Sequence, residues 1–437
     1  MILCATLSTS AQSTHCIRAG ATGTQSGSTW TDAYTNIPAT LVRGDTYYIA
    51  AGSYGAYTFA SVAGTSYIYL KKATVAVHGS ATGWDDSYTN QVTFTLWPIS
   101  SCHYLDIDGV TGDGFGDRGI KVSYSSLGQD GTVEVNANFV NIRSVEIAAL
   151  DTQPTENQSW PVGCNQVNHD WLFTNCNFSG GCVGFQFSNG GGCSNLTVDH
   201  CYFSKIGSVA PQHSAGMSLS GIKNTTIRYC VFKDPYGNQF APFIEPQGAG
   251  VTVGLYVYGN IFEITNGVTT SEGPLWFTQT GDYGTEVYFY NNTIYGMGSG
   301  IACGVGGNLV ADYIHTSNNI WQACAGVPLI GYYNGGSPVN STNAGSNILN
   351  TGEVAFVSTN TATFNLHLAS DTSAGATLSA TYGIDPDGVV RGTNGVWSKG
   401  AFQYLTNSIA TSKATLTAGG TGAILIVTTN GNCTLTF

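Results

Sequence analysis

Charge is what this sequence has least of: Asp, Glu, Lys and Arg make up 9% of it, and only 14 of its 437 residues are Lys or Arg. Against 26 Asp and Glu the formal net charge is -12, with no basic run anywhere. That argues against a nucleic-acid partner, because binding one depends on clustered cations that neutralise phosphates. An acidic polysaccharide meets the same repulsion unless a local basic patch or a bound cation reverses the field, whereas a neutral glycan does not. No stretch approaches the ~20 apolar residues of a membrane span. Cys-x-x-Cys and spaced Cys/His sets are missing too, so the 12 cysteines do not suggest zinc.

What is abundant is Gly, at 57 residues, and Tyr, at 24, together with Thr, Ser and Asn, a composition that suits strands and turns. Twelve cysteines fit an oxidising compartment with a few disulfides, and Cys182 and Cys193 bracket a Gly-rich loop that a disulfide would close. Residues 1–13 hold a short apolar run followed by small residues, the expected tail of a secretory signal, although a basic start is missing. A secreted or cell-surface protein is therefore expected.

Between residues 171 and 322 one short phrase recurs six times, at 171–178, 196–203, 225–232, 255–262, 287–294 and 314–321. Each is a short alternating apolar strand, a Cys or Asn anchor (Cys176, Cys201, Cys230, Asn260, Asn292, Asn319), and a large apolar residue two places on. Anchors about 25 to 32 residues apart are the spacing of a solenoid. Stacked Cys176, Cys201 and Cys230 would lie parallel, a poor disulfide geometry, so a buried thiol column is expected. Stacked Asn can bond both to its neighbour and to the turn backbone.

Alternation fixes direction, because residues two apart share a face. One outward column is Thr174, Asp199, Arg228, Tyr258, Tyr290 and Ser317; the other is Leu172, Thr197, Thr226, Tyr256, Tyr288 and His315. The four Tyr should form one exposed aromatic plate bordered by Asp199, Arg228 and His315, with Lys233, Glu263 and Tyr295 continuing the face after a bend. Such a plate suits the apolar faces of sugar rings. It equally suits mere cross-strand stabilisation.

Gly- and Ser-rich turns, a short helical segment at residues 30–41 and the strand Asp45-Thr-Tyr-Tyr-Ile-Ala, then Asp385-Pro-Asp-Gly-Val-Val-Arg391 and Gly400-Ala-Phe-Gln-Tyr404, together resemble secreted parallel β-helix proteins of the pectate-lyase-like superfamily. The expected fold is all-β: a single right-handed parallel β-helix over residues 14–404. An N-terminal helical plug covers its first coil, and a strand extension at residues 405–437 caps its end or pairs with another copy.

The resemblance implies a secreted protein that binds polysaccharide and cleaves it by lyase rather than hydrolase chemistry; a non-catalytic structural or adhesive protein is the competing reading. Elimination beside a uronate carboxylate needs a base and a cation. Arg228, Tyr258, Tyr288 and His315 are the candidate acid and base groups, Arg228 or Lys233 the charge partner, and Asp199, Tyr256, Tyr290, Lys233 and Glu263 the substrate contacts. Val198-Asp199-His200-Cys201 resembles the Asp-His strand of pectate lyases, without their clear set of calcium-binding Asp on neighbouring coils. Asp106, Asp108, Asp113 and Asp117 offer carboxylates to calcium, but Asp-Gly pairs are also ordinary turn formers.

Overall fold

A computed structural model describes residues 12–110, 118–124, 131–149, 159–187, 192–208, 214–237, 243–247, 253–266, 273–277, 286–298, 300–303, 313–324, 330–332, 346–349 and 354–405. The chain climbs through three parallel sheets in turn. It passes from Val167–Thr174 in the first to Asn177–Ser179 in the second and Val183–Phe187 in the third, then returns one coil higher at Gly192–Asp199. Among the described residues the first and second sheets each have 11 strands and the third six, all paired in parallel.

The corner between the first and second sheets sets where side chains point. The residue before each anchor is left-handed: Asn175, His200, Tyr229, Gly259, Asn291 and Asn318 have φ between 50° and 66°. Asn and Gly adopt this region readily, whereas a ring such as that of Tyr229 does so rarely. Two places past the anchor, Phe178, Phe203, Phe232 and Phe262 stack up the core at centroid spacings of 4.8, 4.5 and 4.9 Å. Burying each contributes about 1.5 to 3 kcal/mol.

The anchors themselves behave as the repeat implies. Asn260, Asn292 and Asn319 form a buried ladder: the Asn292 Oδ1 accepts from the Asn260 backbone N–H at 2.9 Å and its Nδ2 at 3.1 Å, while the Asn292 Nδ2 donates to the Val257 carbonyl at 3.0 Å. Cys176, Cys201 and Cys230 are free, buried thiols, each donating to carbonyls of its own and the preceding coil. Cys182 and Cys193 are also free, which corrects the expected disulfide. Cys182 adjoins the third sheet, Cys193 lies in the first, and each thiol donates to a separate carbonyl, of Ser159 and Ser194.

The expected helix at residues 30–41 does not form. The carboxylate of Asp32 accepts from the Thr24 N–H and from the Thr24 and Thr29 hydroxyls, local bonds that compete with a helix. Tyr34 instead bridges Ile17 in parallel and covers the edge of the first strand, while Ile37 and Leu41 reach the main core. The expected signal remnant lies almost wholly outside the described residues, and the strand extension of residues 405–437 lies outside them beyond its first residue.

Residues 354–404 fold over the outside of the second sheet and over the adjoining edge of the first. Val231 and Ile261, which point outward one place past their anchors, are buried under Leu366, Ala401 and Phe402. The Asp385-to-Arg391 turn is a lock within this segment. Asp385 accepts from the N–H groups of Val389 and Gln403, and buried Arg391 donates to the carbonyls of Ser398 and Ala401.

Candidate functional site

Both outward columns stand in the expected register, Asp199 beside Arg228, Tyr258, Tyr290 and Ser317, and Thr226 beside Tyr256, Tyr288 and His315. Arg228 donates to Asp199 at 2.8 Å and to the Tyr258 hydroxyl at 3.3 Å. Burial alone would lower the Arg228 pKa, but Asp199 and the Tyr258 phenol hold it above its ordinary value. Burial would likewise raise Asp199, yet hydrogen bonds from His200 and Arg228 hold it below the usual carboxylate range.

The single exposed plate is not what the structure shows. Tyr258 is only 3% exposed, because Tyr382 meets it edge-on at 5.0 Å and meets Tyr290 in the same way at 4.9 Å. Trp397 closes this cover, donating from Nε1 to Asn291 Oδ1. The other column is a half-buried ladder: Tyr256 stacks on Tyr288 at 5.1 Å and Tyr288 on His315 at 4.9 Å. Thus Arg228 and Tyr258 form one cluster, Tyr288 and His315 another.

Lys233 and Glu263 lie elsewhere, in a cleft of about 540 Å³ between the second sheet and the folded-back segment. Its floor is His200, Tyr202, Tyr229, Lys233 and Glu263; its opposite wall is Phe364, His367, Asp387 and Phe402. Lys233 donates to Glu263 at 2.6 Å, and its Nζ sits 5.2 Å over the Phe364 ring. Glu263 is 6% exposed, and burial raises its pKa, offset only in part by Lys233. Burial, then the nearby Glu263, pushes Tyr202 up to about 12.

Two imidazoles complete the cleft. His200 Nδ1 donates to Asp199 at 2.7 Å and Nε2 to the Pro386 carbonyl at 3.1 Å. His367 stacks on Phe402 at 3.6 Å, with Nδ1 2.5 Å from Asn365 Oδ1 and Nε2 2.8 Å from Asp387 Oδ2. Sequence reasoning gave no site role to His367 or to the rest of the wall, naming Asp387 and Phe402 only within the closing-segment resemblance. The available signal was Val231 and Ile261, apolar residues in outward positions that demand a cover.

Asp106 is buried, both its oxygens held by Arg143 and one also by Asn141, and Asp108 accepts from the Val110 N–H while lying 3.7 Å from Arg143. Arg143 thus occupies both carboxylate oxygens of Asp106 that a calcium ion would otherwise draw on. Asp113 and Asp117 lie outside the described residues. Among the described residues no group of three His, Cys, Asp or Glu side chains converges as a metal set.

No protein-family model matches the chain, and no curated protein sequence does. In fold it is similar to the crystal structure of pectate lyase Pel9A, with a TM-score of 0.52 and 13% identity over 90% of this chain and 97% of the other. The architecture is therefore a right-handed parallel β-helix.

Proposed function

We propose that this β-helix binds polysaccharide outside the cell, in the cleft between the second sheet and residues 354–404. The observation that carries the reading is the lining of that cleft. The rings of Tyr202, Tyr229, Phe364 and Phe402 flank the polar pairs Lys233–Glu263 and His367–Asp387. A pyranose offers an apolar C–H face and a rim of hydroxyls, which such a lining matches. The volume falls within the ~300 to 1,000 Å³ of small-ligand sites. The fold shared with a pectate lyase makes polysaccharide the first ligand to test.

Lyase-type cleavage is the finer form of this reading, with Arg228 or Lys233 taking a uronate carboxylate. Each must first leave its present partner, Asp199 or Glu263, so binding without cleavage is the form the pairing favours. The structural or adhesive role shares that form. Affinity electrophoresis of the full chain through gels containing single polysaccharides, with and without calcium, tests the reading. Unsaturated products and reducing ends are assayed alongside. Retardation by at least one polymer, weakened in Tyr202→Ala, is expected; unretarded migration in every gel refutes it.

A further inference from the structure

We infer that the polysaccharide taken by this cleft is uncharged, an inference that rests on the glycan-binding reading above. Every basic side chain lining the cleft already faces an acid. Lys233 lies 2.6 Å from Glu263 and 3.8 Å from Asp234. Asp199 holds both His200, at 2.7 Å, and Arg228 behind it, at 2.8 Å. Asp387 holds His367 at 2.8 Å and is itself 44% exposed. A polymer of uronates arriving here meets carboxylates with no uncommitted cation among the described lining residues, on a chain of net charge -12. Like charges brought together in a partly desolvated site repel strongly.

Hydrogen-bonding capacity points the same way. Both ring nitrogens of His200 and of His367 already face oxygen atoms, so the imidazoles have no N–H to offer a ligand. The cleft offers acceptor capacity on the carboxylates of Glu263 and Asp387, and the neutral amides of Asn175 and Asn365 add both donors and acceptors. Sugar hydroxyls can donate to those oxygens, whereas a carboxylate ligand can only accept. Apart from those amides, the remaining surface is largely aromatic and aliphatic, from Tyr202, Ile261, Phe364 and Phe402, and favours the C–H faces of uncharged rings.

The test uses the full chain and pairs of polymers that share a backbone but differ in charge. Polygalacturonate is set against its fully methyl-esterified form, next to neutral galactan, xylan and glucomannan, with affinities read by electrophoresis and calorimetry. At least one uncharged polymer should bind about tenfold or more tighter than polygalacturonate, and added salt should leave its affinity unchanged. Asp387→Asn, at an exposed side chain, should raise polygalacturonate binding by removing one repelling charge. Equal or tighter binding of polygalacturonate overturns the inference while leaving glycan binding standing, as does an Asp387→Asn variant with unchanged preference. Binding to none of the polymers overturns both.

Discussion

His200 and Pro386 are joined across 186 residues: the imidazole Nε2 donates to the Pro386 carbonyl at 3.1 Å while Nδ1 donates to Asp199 at 2.7 Å. Two acceptors call for two donors, which favours the imidazolium form of His200. Burial would lower its pKa, but Asp199 and then the Pro386 carbonyl raise it above the ordinary value, with Arg228 opposing. A raised folded pKa contributes stability that is fully present below the unfolded value of about 6.5 and is lost as pH rises through the folded value. NMR titration should find the His200 ring titrating above that unfolded value. Amide exchange at residues 384–389 should speed up through the same transition; an ordinary His200 titration contradicts this.

Asn292→Ala should cost about 3 to 5 kcal/mol of stability in denaturant unfolding, because it strips partners from the buried Asn260 amide, the Val257 carbonyl and Asn319 at once. Cys201→Ala, which removes only weak thiol donors, should cost about 1 to 2 kcal/mol. Equal losses would mean that the amide ladder adds nothing beyond packing.

The thiol column has a chemical consequence. Burial pushes the Cys176 and Cys201 thiols well above their ordinary pKa, so neither offers a thiolate. Mass spectrometry after native alkylation should find both unmodified and unbridged, with labelling only on unfolding. A disulfide between any two of Cys176, Cys201 and Cys230 would contradict the packing described.

Lys72 is 1% exposed, and its ammonium donates to the carbonyls of Ala73 and Tyr88. Burial lowers its pKa to about 8. Between that value and the unfolded pKa of about 10.4 the unfolded chain binds more protons, so stability from this group rises with pH. Melting temperatures of the wild type should therefore gain on those of Lys72→Met from pH 8 to 10; a constant difference argues that Lys72 stays charged.

The coil register was legible residue by residue, since a period of two along each strand and one anchor per coil leave Asp199, Arg228 and Tyr258 no other neighbours. Tyr382 over Tyr258 was not legible, because it joins segments more than a hundred residues apart and carries no local period. The same holds for the wall at His367 and Phe402. At residues 30–41 the apolar spacing read as helix, but Asp32 and its Thr partners bind the backbone locally, and Tyr34 pairs with the first strand instead. Cys182 and Cys193 looked like the ends of one loop, yet Cys193 lies in the first sheet and Cys182 just before a strand of the third.

A crystal structure of the full chain soaked with an uncharged oligosaccharide that binds in solution tests the central claim most directly. The account predicts a sugar ring in the cleft, against Tyr202 and Phe402, with its hydroxyls on Glu263 and Asp387. A sugar seated instead on the Tyr256, Tyr288 and His315 ladder, with the cleft empty, would contradict it.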